Sequence, residues 1–346
     1  MESTTTTLTP SKGLIIVSIT KLKQATLLWL QGFREACCLH RVVILSLRSR
    51  KLLIRTGQCF LLNGFIFLGS ILALNSVVTP ILEWILPNQC SKLSSQQPCS
   101  LGRVMQFYSF LRAGLLQLFY VFWFYPLYIF SFILSALWYN DIAKYGFAAT
   151  PKSGAESSET SGQNEVKTSE NTPQMEKPAG LGGVMIGIGE QVYSVLLLTF
   201  FFLEVYATGF IPVIGKALNF VLLSWMYAYY CFEYKWNLTE VSLDRRLDFF
   251  ESNWAFFAGF GSPCVLAIFF FSPLVSYGVM AILFPLFVLS ATASTAERLI
   301  ISDRRKWKGA GLGRLPIFYA ADSVSMLILS LLPLESQKQL HENKTD

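Results

Sequence analysis

The sequence has little of the chemistry that most enzymes use. Only two histidines occur among 346 residues, His40 and His341, which argues against His-based zinc sites and against Ser-His-Asp or Cys-His catalysis. No two cysteines are spaced as CxxC, so a metal or thioredoxin-like motif is missing as well. The cysteines are Cys37, Cys38, Cys59, Cys90, Cys99, Cys231 and Cys264. We therefore expect no enzymatic activity, no catalytic residue, no metal and no cofactor.

Charged residues are also scarce. They make up 14% of the chain, against about 25% of an average soluble protein, while 53% of the residues are hydrophobic and 15% are aromatic. Several stretches reach the roughly 20 apolar residues that a helix needs to cross a bilayer about 30 Å thick. The composition therefore predicts an all-α polytopic membrane protein with about six apolar helices.

The net charge of +6 does not indicate nucleic-acid binding, because the basic residues cluster beside apolar segments, as they do at membrane flanks. In residues 1–56, apolar clusters too short to span alternate with basic residues: Lys12, Lys21, Lys23, Arg34, Arg41, Arg48, Arg50, Lys51 and Arg55. This amphipathic pattern predicts one or two helices lying in or on a headgroup layer. The adjacent Cys37 and Cys38 are either palmitoylated or ordinary buried thiols.

Residues 57–147 form the N-terminal membrane half. Its first span is predicted from Gly57 to Leu82. The next apolar stretch, 104–139, is too long for a straight minimal span, and Pro126 removes one backbone donor near its middle. A long, tilted or kinked helix is the first prediction, and a helix that breaks at Pro126 and turns back is the alternative.

Two polar segments interrupt the apolar ones. The loop 83–103 carries Cys90 and Cys99, which could form a disulfide if the loop faces an oxidising lumen. Residues 148–180 are rich in Ser, Thr, Glu, Gly, Lys and Pro. Such a composition cannot bury enough apolar surface to offset the entropy of ordering, so we expect a disordered linker between two membrane halves.

Residues 181–296 form the C-terminal membrane half, and 297–346 form a basic segment, an interfacial helix and a polar tail. Two apolar segments come first, then a charged stretch, and then two closely spaced apolar segments that are typical of a helical hairpin. The segments are 181–215, Lys216–Tyr234, the charged 235–252, Trp254–Phe271, Leu274–Ala293 and the interfacial helix at Leu315–Leu334.

The distribution of Lys and Arg predicts the orientation in the membrane. Nine lie in residues 1–56 and six in the segment 298–314, whereas the loop 83–103 holds only two. Both termini are therefore expected in the cytosol, with the cysteine loop in the lumen. In this topology the sequons at Asn237 and Asn343 stay unglycosylated.

Carboxylates inside apolar stretches are costly and often functional. Glu204 lies deepest, and Glu190 lies fourteen residues earlier, so that both fall close to one helical face. They could line a polar or proton-coupled pathway, or mark the polar side of a half-inserted helix, and we favour the second interpretation. Glu233, at the end of the next segment, is expected to form a structural ion pair with Arg245 or Arg246.

Several motifs between about residues 55 and 330 are shared with one known family. They are GQCFLLNGFIF (57–67), SALWYNDIAKYGF (135–147), WMYAYYCFEYKW (225–236), Arg245-Arg246, Asn253-Trp254, FFAGFGSP (256–263) and ILFPLFVLSA (282–291). On these motifs the chain resembles the etoposide-induced protein 2.4 family of eukaryotic endoplasmic-reticulum membrane proteins. The long Ser/Glu linker and the ends of the chain depart from the family, so the resemblance says nothing about partner motifs there.

The resemblance implies a non-enzymatic protein of the endoplasmic reticulum that is needed for autophagy, when autophagosomes mature into degradative compartments. It transfers no catalytic residue. The expected partners are membrane lipids, which the basic flanks suit, and proteins on the cytosolic face.

A more distant likeness, in the spacing of IPVIG (211–215), SW (224–225) and FEY (232–234), is to bacterial sulfate permeases. It implies that the helix pairs 184–234 and 254–293 could be half-inserted hairpins that only partly cross the membrane. It also leaves a small-anion transporter or channel as the alternative function, with Arg112, Lys216 and Glu204 as pathway residues.

Overall fold

The computed structural model describes residues 10–85, 102–150, 181–307 and 312–331, which form helices and connecting turns without any strand. Three of the described helices are long and apolar enough to cross a membrane: Arg50–Leu82, Val121–Ala149 and Val275–Ala293. Three shorter helices are also apolar: Val192–Thr208, Trp254–Leu266 and Tyr319–Ser330. This confirms the predicted all-α polytopic membrane fold with about six apolar helices.

The described residues form thirteen α-helices and two π-helical turns. Those of the N-terminal part are α1 (Pro10–Ala36), α2 (Leu39–Arg48), α3 (Arg50–Phe60), a π-helical turn (Leu61–Leu68), α4 (Gly69–Ala73), a second π-helical turn (Leu74–Val78), α5 (Thr79–Ile85) and α6 (Gly102–Ala149). Those of the C-terminal part are α7 (Leu181–Thr208), α8 (Gly215–Leu238), α9 (Leu243–Ser252), α10 (Trp254–Leu266), α11 (Pro273–Ala293), α12 (Ala296–Lys306) and α13 (Tyr319–Leu331). The predicted linker 148–180 begins too early, because residues 148 and 149 belong to α6. Its remainder from 151 to 180, the pair Cys90 and Cys99, and the predicted polar tail lie outside the described residues.

The first spanning helix, which runs from α3 through α5, begins earlier than the sequence predicts. It starts at Arg50 instead of Gly57. Ser49 precedes it with an extended backbone and accepts a hydrogen bond from the Leu52 N–H at 3.4 Å, as serine at an N-cap commonly does. The basic residues in the first turns lower the local hydropathy, so the start of the helix could not be recognised from hydropathy alone. Their apolar stems can nevertheless pack along a helix while their charges stay in water.

Helix α6 is continuous over 48 residues with Pro126 inside it. The prediction of one long helix is therefore confirmed, and the alternative that turns back at Pro126 is wrong. At 1.5 Å per residue α6 is about 72 Å long, against about 30 Å for the hydrocarbon core. Its C-terminal half packs on the first spanning helix in the opposite direction, with Arg55 paired to Asp141 at 3.3 Å.

Helix α1 differs from the predicted interfacial helix because one of its faces is part of the protein interior. Its buried residues recur at intervals of about one helical turn: Gln24, Leu28, Glu35 and Ala36. Gly32 lies among them, directly against the backbone carbonyl of Phe256 in α10. Only glycine permits this approach, because a Cβ would occupy the space of the carbonyl oxygen. The basic residues Lys21 and Lys23 lie on the exposed surface.

Helix α10 lies at the centre of the C-terminal half. It has 13 residues, ten of them buried, and its length of about 20 Å is too short to cross the hydrocarbon core. Both α1 and α8 pack along it, and two of its glycines meet backbone: Gly259 faces the carbonyl of Trp29, and Gly261 faces that of Ser224. The predicted hairpin partner α11 is therefore not its main contact.

Aromatic rings fill the core between α8, α9, α10 and the segment before α13. Phe250 and Phe257 stack with their centroids 4.3 Å apart, and Phe232 meets Phe260 edge-on at 4.9 Å. Each such pair contributes about 0.5–1.5 kcal/mol beyond its buried area. This packing holds the ends of α8 and α9, which carry several of the charged side chains described below.

Candidate functional site

A group of polar side chains lies beside the aromatic core, where α9 meets α10 and along α12. We call it the terminal polar cluster, and its members are Lys235, Glu251, Asn253, Glu297, Asp303, Arg304 and Arg314. Four of them are buried: Lys235, Glu251, Asn253 and Asp303. Since a buried charge is costly unless it is paired and hydrogen-bonded, the partners of these residues determine what the cluster can do.

Glu251 holds the chain after α12 against α9. Its carboxylate accepts hydrogen bonds from Arg314, with Nη2 at 2.7 Å and Nε at 2.8 Å, and from the backbone N–H of Phe318 at 3.1 Å. Its carbonyl accepts the N–H of Leu315 at 3.1 Å. Arg314 also pairs with Asp248 at 3.1 Å, and the hydrogen bond to Glu251 is the main reason that the pKa of Arg314 is raised.

Lys235 connects α8 to the start of α12. Its Nζ donates to both carboxylate oxygens of Glu297, at 2.9 and 3.1 Å, and to the carbonyl of Ser294 at 3.0 Å. Glu297 lies in the first turn of α12, where a negative charge interacts favourably with the helix dipole. Three bonds satisfy the ammonium group, so Lys235 has a structural role.

Asp303 connects α12 to α1, because its carboxylate accepts hydrogen bonds from Gln31 and from Lys306. Burial works to raise the pKa of Asp303, but the hydrogen bonds from Lys306 and Gln31 outweigh it, so the pKa lies below that of an ordinary carboxyl. One residue further on, Arg304 donates to the Asn253 side chain at 3.1 Å and to the Ser252 carbonyl at 3.2 Å. These bonds fix the junction of α9 and α10.

A pocket of about 410 Å³ lies beside the cluster, between α7, α9 and α13. Tyr193 in its wall donates a hydrogen bond to Asp322. Four carboxylates and one guanidinium line it: Asp244, Asp248, Glu251, Asp322 and Arg314. Its charge therefore disfavours an anionic ligand.

A second polar group, the Asn63 cluster, lies inside the membrane region and consists of Asn63, Ser131, Ser135, Tyr139 and the carbonyl of Ala281. Asn63 is fully buried. Its Nδ2 donates to Ser135 at 2.9 Å and to the Ala281 carbonyl at 3.3 Å, and its Oδ1 accepts from Ser131 at 2.5 Å. Tyr139 donates to the same carbonyl at 3.0 Å. The cluster joins the three spanning helices.

Pro285 explains why the Ala281 carbonyl accepts these bonds. In an α-helix this carbonyl would accept the N–H of the residue four positions later, and that residue is Pro285, which lies inside α11 and has no N–H. Polar side chains of neighbouring helices commonly satisfy such a carbonyl in a membrane. The proline and the asparagine thus form one structural unit.

The residues predicted as functional do not form one site but lie on different helices. Only Asn253 belongs to the terminal polar cluster. Glu204 is half-buried on α7, Lys216 is exposed in the first turn of α8, and Arg245 is exposed on α9. Glu190 lies on α7 with Glu204, and Arg112 lies on α6, but their side chains lie outside the described part of the structure.

Glu233 makes no direct ion pair with Arg245 or Arg246, the partners that the sequence predicts. Burial raises the pKa of the Glu233 carboxyl, although the charge of Arg246 is near enough to lower it in part. Glu233 accepts a hydrogen bond from Ser194 at 3.4 Å. Arg246 instead donates to the Val241 carbonyl and to Asn237 Oδ1, both at 2.6 Å. The geometry explains the difference, because the turn after α8 brings its own carbonyl and Asn237 closer to the guanidinium than Glu233.

Most members of both clusters are not predictable from the sequence. Glu251, Asp303 and Arg314 stand in charged stretches that resemble a solvated surface, so no local signal marks them as buried or paired. The sequence does carry a signal for the Asn63 cluster, because Asn63 interrupts the first apolar span and Pro285 interrupts the span that becomes α11. Their connection depends on the packing of α11 against the first spanning helix, which the sequence does not show.

These features define a class of protein: a polytopic helical membrane protein whose buried charges pair with one another and with backbone. Within the described ranges, no group of three or more His, Cys, Asp or Glu residues is placed to hold a metal ion. Residues 38–285 match the family described as "Sulfate transporter CysZ/Etoposide-induced protein 2.4". The chain therefore belongs to this EI24 family, and the resemblance found in the sequence is confirmed.

Similar proteins occur in distant eukaryotes. The chain is 69% identical over 323 residues to "Protein EI24 homolog" of Arabidopsis thaliana, which covers 93% of this chain and 99% of the relative. It is 28% identical to "Protein EI24 homolog" of Dictyostelium discoideum, over 88% of this chain and 84% of the relative. It is 27% identical to "Ectopic P granules protein 4" of Caenorhabditis elegans, over 50% of this chain and 48% of that protein. No solved structure matches.

Proposed function

We propose that the chain is a membrane protein of the endoplasmic reticulum that supports autophagy without enzymatic activity, at the stage when autophagosomes mature into degradative compartments. Membership of the EI24 family and the resemblance of its motifs support the cellular role. The terminal polar cluster carries the molecular part of the proposal, because its buried charges hold segments of the chain together: Lys235 pairs with Glu297, Glu251 pairs with Arg314, and Asp303 accepts a hydrogen bond from Gln31.

The role that this geometry supports is a fixed contact surface on the cytosolic side. The cluster fastens α9, α12 and the segment 312–318 to the aromatic core. The charged residues on its outer side remain exposed: Asp244, Arg245, Asp248, Arg305 and Lys306. Such a surface selects protein partners by complementary charge, while the basic residues of α1 to α3 suit anionic lipid headgroups.

Complementation of cells that lack the gene tests the cellular role. Loss should leave autophagosomes that do not mature, and the full chain should restore degradation of an autophagic cargo and co-fractionate with markers of the endoplasmic reticulum. Glu251→Gln removes the charge that holds Arg314 and should restore degradation only in part. Glu240→Gln makes the same change at an exposed position and should restore it fully. Normal cargo degradation in cells without the gene would refute the role in autophagy.

Transport of a small anion is the second candidate, because the family description includes a sulfate transporter. Lys216 lies at the N-terminal end of α8, where the helix dipole also attracts anions. Sulfate uptake into liposomes that contain the purified chain tests this candidate. Uptake that is lost in Lys216→Ala and retained in Lys144→Ala, another exposed lysine, would support it. Uptake no faster than into empty liposomes would exclude it.

A further inference from the structure

Cys37 and Cys38 differ from the other described cysteines in their surroundings. Cys59, Cys231 and Cys264 are buried, whereas Cys37 is exposed and Cys38 is half-exposed. The two cysteines occupy the turn between α1, which ends at Ala36, and α2, which begins at Leu39. Of the two alternatives that the sequence leaves open, a pair of buried thiols is therefore excluded.

An ion pair holds this turn in place. Glu35 at the end of α1 is buried and pairs with Arg41 of α2 at 2.8 Å. The cysteines lie between the two partners in the chain, and the backbone N–H of Leu39 closes the turn on the Cys37 carbonyl at 2.8 Å. The two thiols are therefore exposed in a turn whose conformation is fixed by an ion pair and a backbone hydrogen bond.

The surface next to the cysteines is apolar on one side and basic on the other. Helix α2 buries Val42 and Leu45 against the protein and leaves a second apolar stripe exposed at intervals of four residues: Leu39 at 41%, Val43 at 57% and Leu47 at 75%. Arg34, Arg41, Arg48 and Arg50 stand close by in the chain. An exposed apolar stripe with basic neighbours is the pattern of a helix at the level of the headgroups, so the thiols lie at the membrane surface.

We propose that Cys37 and Cys38 are a site of S-acylation by a long-chain fatty acyl group, whose chain enters the bilayer beside the apolar stripe of α2. Cysteines beside membrane segments and on amphipathic helices are the usual acceptors of this modification. The inference requires the N-terminal region to face the cytosol, where acyl-coenzyme A is supplied, but it does not depend on a role in autophagy.

The reaction is a thioester exchange. The cysteine sulfur attacks the carbonyl carbon of acyl-coenzyme A, a new C–S bond forms to the cysteine, and the C–S bond to coenzyme A breaks. The thiol proton ends on the sulfur of the released coenzyme A, and no oxidant or reductant takes part. Partial desolvation of the Cys37 sulfur and the neighbouring Cys38 raise the pKa of the Cys37 thiol, so a base of the transferring enzyme is needed to remove the proton.

The acyl group would hold the turn between α1 and α2 at the membrane surface. One acyl chain gives a soluble protein only marginal, reversible membrane binding. Here the spanning helices already retain the protein, so the modification instead sets the position of a local segment. It is also removable by thioester hydrolysis, which makes the position of the turn adjustable.

Mass-tag exchange on the full chain from eukaryotic cells tests the proposal. Free thiols are blocked, thioesters are cleaved with neutral hydroxylamine, and the released thiols are coupled to a maleimide polymer that retards the protein on a gel. We expect one or two tags that depend on hydroxylamine, and incorporation of an alkyne-labelled palmitate. Cys37→Ser together with Cys38→Ser should abolish both signals, and Cys231→Ala should leave them unchanged.

Two outcomes would overturn the proposal. One is the absence of hydroxylamine-dependent tags on the wild-type chain. The other is the persistence of the tags in the double serine variant. Size-exclusion chromatography in detergent shows whether each variant is folded, and a loss of tags counts only when the elution volume matches that of the wild-type chain. Failure of the autophagy complementation would leave the expected tagging unchanged, so the two proposals fail separately.

Discussion

Asn63 shows at the scale of one residue how a polar side chain can organise helices inside a membrane. Its amide reaches Ser131 and Ser135 on one helix and the Ala281 carbonyl on another. The carbonyl is available only because Pro285 donates no hydrogen bond. The stabilising effect of Asn63 should therefore depend on the proline, although the two residues are more than two hundred positions apart.

A double-mutant cycle measures this dependence. Asn63→Ala should lower the free energy of unfolding by about 1–2 kcal/mol, the size of an interhelical hydrogen bond in a membrane. In the background of Pro285→Ala, which restores a backbone donor for Ala281, the same change should cost less. Thermal unfolding in detergent is the measurement, with Ser70→Ala as the control, because the Ser70 hydroxyl bonds only within its own helix. Equal costs in both backgrounds would contradict the coupling.

Asp303 gives a prediction for the dependence of stability on pH. Its folded pKa lies below its ordinary value of 3.8, because the hydrogen bonds from Lys306 and Gln31 outweigh the opposing effect of burial. Because the pKa is lower in the folded state, the carboxylate stabilises the fold at pH values above its ordinary, unfolded pKa. This contribution is lost as the pH falls through the folded pKa. Asp303→Asn should thus be less stable than the wild type near neutral pH, and the difference should vanish in acid. Urea unfolding at several pH values checks this, with the exposed Asp244→Asn as the control.

At the scale of elements, two glycines set the distance between α1 and α10: Gly32 of α1 and Gly259 of α10. Because a Cβ at residue 32 would meet the Phe256 carbonyl, Gly32→Ala should separate α1 from α10. The expected loss is about 1–3 kcal/mol, as for overpacked cores. Faster trypsin cleavage at Lys21 and Lys23 in detergent would accompany it.

Gly57 provides the matched control for this change. It lies in α3 with no atom near the position of an added Cβ. Gly57→Ala should therefore leave stability unchanged or raise it by up to about 1 kcal/mol, because alanine favours a helix. If Gly32→Ala were as stable as Gly57→Ala, the close crossing of α1 and α10 would not exist.

The lengths of the apolar stretches and the positions of the prolines were sufficient to predict the main helices. The partners of the polar side chains could not be predicted in this way. One long helix was predicted over 104–139, and α6 is continuous there, because one proline does not remove enough hydrogen bonds to end a helix that a membrane supports. Its extension to Ala149 was not predicted. The buried face of α1 was missed because it combines Gln24, Glu35 and Gly32 with only a few apolar residues. The pairing of Glu251 with Arg314 was missed because it joins residues 63 positions apart, and only the folded chain brings them together.

At the scale of the whole molecule, the orientation in the membrane remains a prediction that glycosylation can test. An acceptor site engineered into the loop 83–103 should be modified, because that loop is expected in the lumen. Asn237 should stay unmodified, since it is expected in the cytosol and its side chain accepts a hydrogen bond from Arg246. An increase in mass removed by a glycosidase is the measurement. Modification of Asn237 would place the region after α8 in the lumen and favour half-inserted helix pairs.

The contact between α1 and α10 has a consequence for how the protein is made. A ribosome that adds about 5–20 residues per second completes α10, which ends at Leu266, roughly 12–47 s after Gly32 has been synthesised. During this interval Gly32 and the rest of the buried face of α1 lack the surface of α10 that covers them in the folded protein. The N-terminal segment must therefore wait on the bilayer surface, or be held by an insertion factor, until the helix that covers it emerges.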